Sequence, residues 1–598
     1  MSDEKQGGKW DRLPKMNFSA KDLSKRMRKV EGATVKHARK FVFRRLGNMR
    51  EVRRHIAIWV LMVGYIVAAS ALQLMWYQQA YRTTTAAEGG TYAEAVLGPL
   101  DNLNPLYARS SAEQSASALL FSRLMTYDST GHLNYDLAQS MTLDESDKVY
   151  TVKLKPNVKW HDGQALTAQD VIFTIGLLKD PETRSTIGSE WSTIKAVAVD
   201  DRTLTFTLPS VYAAFPHALN FPVLPEHILG DVPAANLREN SFSQAPIGSG
   251  PFAFRLLQDS DTLSTREIVY MARNENYFGG VAKIERLQLD VYESREAITR
   301  ALLASEVNAA VDLSATNVQQ VSKTRYDIQY KPVNAGVFAL FNTTSSLLSD
   351  KTIRQALQVG TDTAALRSTI GNVPALHLPF VNGQLFGDVP KAPNYNIDAA
   401  SKILDDNGWK RDGSERTKDG KKLEVTVVTI KDEDLERVLE KLAGQWRALG
   451  IDVTTTVVDP SNVSDRVVEG VLRPRSFDVL LHRLDIGADP DTFVYWHSSE
   501  AIESGRNFSN YANPLADDAL VSARTRVEPE LRNAKYLIFA RQWLADVPAI
   551  GIYQSTVQYV SSKRIHTLTP NDTLVTATDR YRNIIHWSVS EKSVFTTP

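Results

Sequence analysis

Apolar and polar residues alternate from Tyr150 to Leu154 with the period of a half-buried β-strand. Two turn-forming pairs follow, Pro156-Asn157 and Asp162-Gly163. Thr167 then precedes an apolar run, and Asp170 lies three positions after it, which is the pattern of a capped helix N-terminus. The segment therefore predicts a strand, two turns and a helix within residues 150–173.

Short strands and amphipathic helices alternate over the chain from residue 91 onward, which is typical of α/β structure. The predicted elements are strand Tyr92–Leu97, helix Ser111–Met125, two strands within Lys195–Leu208, helix Asp398–Asn407, strand Leu423–Ile430, helix Asp432–Leu449 and strand Ile451–Val458. The last three form a strand–helix–strand unit, for which we expect parallel strands and a right-handed crossover.

A stretch of 20 residues, Ile56–Met75, carries no charged side chain. At about 1.5 Å per residue, such a helix crosses a hydrocarbon core of roughly 30 Å. Arg50, Arg53 and Arg54 precede it, so the positive-inside rule places the N-terminus in the cytoplasm and the rest of the chain outside, as a single-pass cell-membrane protein. We expect an uncleaved anchor. The alternatives are a buried core helix and a signal peptide cleaved at the small residues of Ala69-Ser70-Ala71.

Charge is unevenly distributed along the chain. Residues 1–55 contain 17 Lys and Arg against 6 Asp and Glu, although the whole chain has a net charge of zero. Within this tail, Ala20–Leu46 is typical of a basic helix lying on an anionic membrane leaflet. Nucleic-acid binding is the rival interpretation and is not expected beside a membrane span. Residues 82–90 predict a short flexible linker.

The motifs of common catalytic and metal sites are missing from the sequence. The chain has no cysteine, which excludes disulfides, thiolate ligands and a lipid-modified N-terminal Cys. It has no Gly-x-Ser-x-Gly elbow, no His-Glu-x-x-His pair and no phosphate loop. His161-Asp162 is the remaining acid–base candidate and lies in a predicted turn. We therefore predict no catalytic residue, no metal site, no cofactor and no enzymatic activity.

Residues 150–173, with Trp160 between the two turns, closely resemble the signature of solute-binding family 5, the oligopeptide- and dipeptide-binding receptors of ABC importers. Similar segments follow the family pattern in order: Asp101–Pro105, Pro246–Phe252, Asn274–Phe278, Ile353–Leu357, Phe477-Asp478, Ala488–Asp491, Asn507–Ser509, Tyr511–Pro514 and Pro548. The resemblance runs from about Thr91 to about Tyr559 and leaves residues 1–80 uncovered.

The resemblance implies an α/β, bilobal periplasmic-binding-protein fold of type II, in its large three-subdomain form, preceded here by a single transmembrane helix. The implied organisation is a basic cytoplasmic tail (1–55), a transmembrane helix (56–77), a linker (78–90), lobe I with an extra subdomain (91–333), lobe II (334–555) and a return to lobe I (556–598).

The resemblance also implies a function. A peptide would be captured between the lobes and delivered to ABC permease and ATPase subunits on other chains, while Ile56–Met75 holds the receptor at the membrane. Two alternatives remain open. The same fold binds a non-peptide solute such as an anion, a sugar or a metal chelate, or it serves as a surface sensor or interaction protein.

Peptide readers of the family place an Asp against the ligand's α-ammonium group, four residues before the Pro of a carboxylate–Pro loop. Ile486 occupies that position here, and the nearest carboxylate is Asp485. Arg483 is an alternative partner, since its planar guanidinium suits a ligand carboxylate. Further cleft candidates by motif position are Arg109, Ser110, Ser111, Ser249 and Gly250.

Overall fold

The computed structural model describes residues 36, 49–187, 189–259, 266–460, 462 and 465–595. Most of the predicted basic helix within Ala20–Leu46 lies outside these residues. The chain divides into two compact units, residues 1–85 with 593–598 and residues 86–592.

The described α-helices, numbered in chain order, are α1 Met49–Tyr81, α2 Ser111–Leu120, α3 Ala168–Lys179, α4 Phe215–Ala218, α5 Glu226–Leu229, α6 Arg295–Ala304, α7 Ala315–Gln320, α8 Lys351–Val359, α9 Thr363–Arg367, α10 Ile397–Asp406, α11 Glu433–Ala448, α12 Phe493–Trp496, α13 Pro514–Arg524 and α14 Pro529–Asp546.

The described strands are β1 Arg82–Ala87, β2 Thr91–Leu97, β3 Met125–Tyr127, β4 Leu133–Tyr135, β5 Ala138–Leu143, β6 Val149–Leu154, β7 Lys195–Asp200, β8 Thr203–Thr207, β9 Phe252–Gln258, β10 Arg266–Arg273, β11 Arg286–Tyr292, β12 Ala309–Ala310, β13 Tyr326–Phe341, β14 Lys410–Asp412, β15 Glu415–Lys418, β16 Lys421–Lys422, β17 Glu424–Ile430, β18 Asp452–Val458, β19 Val479–Asp485, β20 Ala549–Ser562 and β21 Ser590–Phe595.

Helix α1 contains the predicted membrane span. Its segment Arg53–Tyr77 has 25 residues and contains an 18-residue window with a mean hydropathy of 2.0, no part of which is buried by protein. Among the described residues it is the one helix long and apolar enough to cross a membrane.

A ten-stranded mixed sheet runs through the larger unit in the order β18-β17-β19-β13-β20-β12-β2-β11-β10-β9. Strands β13 and β20, with 16 and 14 residues, are the longest of the described strands. Their antiparallel register shifts between Pro332 and Gly336, where three residues of β13 face a single residue, Ser555, of β20. Such a bulge interrupts the ladder and bends the strands.

Each lobe buries its own apolar core. In lobe I, Trp160 and Trp191 are almost fully buried in a core that also covers the separate four-stranded sheet β5-β6-β8-β7, the extra subdomain. In lobe II, Trp446 lies in one buried cluster, whereas Trp496 and Trp543 lie in another.

Most predicted elements are confirmed. Strand β2, the β7–β8 hairpin and helix α10 lie where the sequence pattern placed them, and β17 pairs with β18 in parallel around α11. Asp170 accepts the Thr167 backbone N–H at 2.8 Å, as expected for the start of α3.

Two elements differ from the prediction. The helix predicted over Ser111–Met125 ends at Leu120, because Phe121 is extended and the next N–H, that of Ser122, donates to Ser249 Oγ. Residues 82–87, predicted as a flexible linker, form β1 and pair with β21. The run Thr83–Thr85 is β-branched and favours extended backbone once a partner strand is available.

Candidate ligand-binding site

The turn at Trp160 supports the fold of lobe I. His161 Nδ1 accepts the Gly248 backbone N–H at 3.1 Å, and its Nε2 faces the Gly250 carbonyl oxygen at 3.1 Å, to which it donates as the neutral tautomer. Burial lowers the pKa of His161 to about 4. The imidazole is thus committed to holding the 246–252 turn and is not poised for proton transfer.

Two of the predicted cleft residues, Ser249 and Gly250, are buried in that turn. Ser249 Oγ accepts the Ser122 N–H at 3.3 Å, and the Gly250 N–H donates to the Leu120 carbonyl at 2.8 Å. Ser249 is only 1% exposed. The packing of this turn against the end of α2 therefore accounts for both residues, and neither lines the cavities described below.

The candidates at the start of α2 act mainly as a helix cap. Ser110 Oγ accepts the Glu113 N–H, and the Glu113 carboxylate accepts the N–H groups of Ser110 and Arg109 at 3.0 and 2.7 Å. Ser111 is the first helical residue. The Arg109 side chain is exposed, and none of the three predicted residues lines the cavities described below.

Arg483 and Asp485 lie two residues apart at the end of β19 and therefore point to the same side of the sheet. They form an ion pair, with 2.9 Å between Arg483 Nη2 and Asp485 Oδ1, and remain 52% and 77% exposed. Tyr495 OH donates to the Asp485 backbone carbonyl at 2.7 Å and holds the strand end in place. The structure thus brings these two predicted residues together at the edge of a cavity.

The larger cavity between the extra subdomain and lobe II, the interlobe cavity, has a volume of about 760 Å³. The extra subdomain contributes residues 192–194 and 208–212, which carry hydroxyl and apolar side chains and no charge. Lobe II contributes the carboxylates Asp485, Asp491 and Glu500 together with Arg506 and Arg524. The volume lies within the roughly 300–1,000 Å³ typical of ligand sites.

Arg524 bridges the two walls of this cavity. Its guanidinium lies 4.8 Å from the ring centre of Tyr212 in the extra subdomain and 4.1 Å from that of Phe493 in lobe II, and its Nε donates to Asp491 at 2.8 Å. Its backbone carbonyl accepts the Ala213 N–H at 3.0 Å. Sequence reasoning missed Arg524, because the sequence pattern gives no sign that α13 faces the extra subdomain.

A smaller cavity of about 250 Å³ lies beside the β13–β20 bulge. Arg483 lines it, and so does Arg295 of α6 in lobe I. The Arg295 guanidinium lies within 3.2–3.5 Å of three carboxylates at the start of α11 in lobe II. The Arg483–Asp485 pair therefore lies between the two cavities, with Asp485 lining the larger one and Arg483 the smaller one.

The sequence matches the family model of bacterial extracellular solute-binding proteins, family 5, over residues 132–504. The chain belongs to this family.

Its relatives include peptide receptors. The oligopeptide-binding protein AppA of Bacillus subtilis is 28% identical over 484 residues, which cover 78% of this chain and 86% of AppA. The structure of AppA in complex with a nonapeptide matches with a TM-score of 0.71 and 25% identity, over 85% of this chain and all of that one.

A metal-chelate binder has a similar structure. NikZ of Campylobacter jejuni, in complex with Ni(L-His), matches with a TM-score of 0.69 and 25% identity, over 83% of this chain and 99% of that one. Family membership therefore establishes a bilobal solute-binding protein, and its relatives bind chemically different ligands.

Proposed function

We propose that this protein is a membrane-anchored, extracytoplasmic peptide receptor of an ABC importer. The observation that carries the proposal is the interlobe cavity, which is large enough for several residues of extended chain and has charged groups on one wall only. AppA, which covers most of the chain, is similar in sequence and binds a peptide.

The arrangement supports capture by closure of the lobes. The β13–β20 bulge at residues 333–335 interrupts the two strands that join the lobes, so we place the hinge there. The Asn334 carbonyl accepts the N–H groups of Ile486 and Gly487 at 2.9 and 3.0 Å, which ties the loop after Asp485 directly to this bulge. A ligand that contacts both walls stabilises the closed form by its extra contacts there.

One end group of the ligand is assigned to the Arg483–Asp485 pair. Asp485 is the more exposed partner and faces the interlobe cavity, where it is available to an α-ammonium group. Arg483 lines the smaller cavity, where it is available to a carboxylate. In either case the bound end group replaces the mutual ion pair with a contact to the residue of opposite charge.

Two substitutions test the assignment. If Asp485 binds the ammonium group, Asp485→Ala weakens peptide binding by roughly 2–5 kcal/mol, because the ligand charge is left unpaired in the cleft. If the ligand is anionic, Arg483→Ala causes the loss and Asp485→Ala does not. Calorimetry with the solute identified by mass spectrometry of the purified full-length chain measures both. Near-zero effects from both substitutions would show that this pair does not read the ligand.

Anchoring is supported by helix α1, whose apolar segment is exposed along its whole length. A receptor tethered beside its permease encounters it at high effective concentration. Delivery to permease and ATPase subunits on other chains completes the proposed cycle. Co-purification of those subunits with the full-length chain in detergent tests that step, and their absence from repeated preparations made with the peptide bound would count against it.

A further inference from the structure

Lobe II contains a separate cavity of about 600 Å³, here named the lobe II cavity. Its lining residues come from segments 358–395 and 550–551, all within lobe II. They include neither Asp485 nor Arg483. The lobe II cavity is therefore formed without any contribution from lobe I or from the interlobe cavity.

An irregular segment of 26 residues, 371–396, covers the lobe II cavity between α9 and α10. Segments of this length without helix or strand are uncommon in compact domains and are usually functional. Hydrogen bonds to neighbouring elements hold segment 371–396 in place. The Gln554 N–H donates to the Pro374 carbonyl at 2.9 Å, Gln384 Nε2 donates to the Gly487 carbonyl at 2.9 Å, and Asn533 exchanges two hydrogen bonds with the Phe386 backbone. The cavity is thus preformed.

Much of the wall of the lobe II cavity is apolar. Its aliphatic and aromatic lining residues are Leu378, Phe380, Val381, Leu385, Val389 and Ile550. A preformed concave surface of this kind favours an apolar molecular body, with a few polar groups setting its orientation.

The charged groups of the lobe II cavity are mainly cationic. Arg367 and Lys391 line it together with one carboxylate, Asp362, and the imidazole of His377. Asp362 Oδ1 accepts the Ala365 N–H at 2.9 Å as the cap of α9, and no ion pair joins it to Arg367 among the described residues. Two full positive charges, on Arg367 and Lys391, therefore face one negative charge, on Asp362, and the lining keeps a net charge of +1.

Arg367 has unused hydrogen-bonding capacity. Among the described residues, only its Nη1 has partners, Thr363 Oγ1 at 3.2 Å and the Ile552 carbonyl at 3.3 Å, both at the long end of the range. Burial and, to a smaller extent, the neighbouring Arg367 charge lower the pKa of His377. A carboxylate placed between the two side chains would accept the free Arg367 N–H groups and offset this local positive charge.

We propose that the lobe II cavity binds a small organic anion with an apolar body, such as an aromatic carboxylate, with Arg367 as the partner of the anionic group and the 378–389 side chains around the apolar part. This site goes beyond the proposed capture of peptides between the lobes and is independent of it.

A pair of matched ligands tests the site. 3-Phenylpropionate and its neutral amide have the same apolar body and differ in charge, so titration calorimetry on the full-length chain in lipid nanodiscs compares them directly. We expect the carboxylate to bind at least about tenfold more tightly than the amide, because hydrogen bonds to charged groups are the stronger class. Equal affinity for the two, or no binding of either, overturns the proposal.

Three variants locate the binding. Arg367→Gln should weaken the carboxylate about tenfold or more and leave the amide unchanged. His377→Gln should weaken the carboxylate less, because the imidazole is the second polar group of the proposed site and Arg367 is retained. The control is Arg447→Gln, also in lobe II, whose guanidinium donates to the Val453 carbonyl outside the cavity. Arg447→Gln should bind 3-phenylpropionate with the affinity of the unmodified protein.

Peptide binding separates the two proposals. Arg367→Gln should leave peptide affinity unchanged, and the Asp485→Ala and Arg483→Ala variants should bind 3-phenylpropionate normally. If instead the carboxylate competes with peptide, or is lost with Asp485 or Arg483, the anion lies between the lobes and the lobe II site is wrong.

Discussion

His161 and His482 are two histidines that the fold keeps neutral. Burial lowers the pKa of each from an ordinary value of 6.5 to about 4. As the pH falls, each histidine is therefore protonated in the unfolded chain before it is protonated in the folded protein. The stability that each neutral histidine gives above pH 6.5 is lost as the pH falls toward 4. Asp136 and Asp290 have pKa values raised to about 6 by burial, and their contributions change in the opposite direction over part of this window.

The contribution of His161 to stability is obtained by comparing the free energy of unfolding of the unmodified protein with that of His161→Gln. We expect the stability gap between the unmodified protein and His161→Gln to shrink by about 2 kcal/mol between pH 7 and pH 5, since only the unmodified protein carries the His161 term. Urea unfolding of residues 82–598 at both pH values measures it, and both aspartates cancel in the comparison. A gap that stays constant or widens would mean that His161 is not held neutral.

Two glycines of lobe I should respond oppositely to alanine. A Cβ on Gly250 would lie 2.5 Å from the Leu119 carbonyl oxygen and 2.6 Å from the Leu120 carbonyl carbon, whereas a Cβ on Gly176 within α3 meets nothing within 4 Å. We expect Gly250→Ala to destabilise by about 1–3 kcal/mol and Gly176→Ala to stabilise by about 0.5–1 kcal/mol. Thermal melting compares them, and equal shifts would contradict the described turn.

At the scale of elements, α6 and α11 meet across the two lobes through one arginine. Arg295, 16% exposed, faces Asp432, Glu433 and Asp434. Because these contacts join the lobes, they favour the closed form. We expect Arg295→Gln to weaken ligand binding by about fivefold or more, to reduce the salt dependence of that affinity, and to increase the radius of gyration of the ligand-free protein.

Arg300 provides the matched control for Arg295. It lies exposed on the same helix, so Arg300→Gln removes the same charge without touching α11. Calorimetry at low and high salt, with small-angle scattering, follows both variants. Identical behaviour of the two would show that the Arg295 cluster does not contribute to closure.

Local structure can be predicted from the sequence more completely than the residues of the candidate site. The turn and cap around Trp160, the β7–β8 hairpin and the parallel β17–β18 pair follow from turn chemistry and periodicity, which act over a few residues. The Arg295 cluster joins residues 137–139 positions apart, and Arg524 meets Tyr212 across two domains. No local pattern encodes such contacts. Ser249 was predicted to line the cleft because glycine turns allow the backbone to approach a ligand closely. The same freedom allows close packing against buried backbone, and that is what this turn does.

The whole molecule combines a binding body with helix α1, and the location of the body depends on that helix. Seventeen basic residues in the first 55 and the 25-residue apolar segment Arg53–Tyr77 together predict a cytoplasmic N-terminus and an external body. We expect protease added to intact cells to digest a C-terminal epitope and to spare an N-terminal one, and permeabilised cells to lose both. Carbonate washing should leave the full chain in the membrane, because a hydrophobic span, unlike a charged surface contact, does not depend on pH or salt. A mature protein beginning at Leu72 would instead identify a cleaved signal peptide, and the receptor would then have to reach its permease by diffusion.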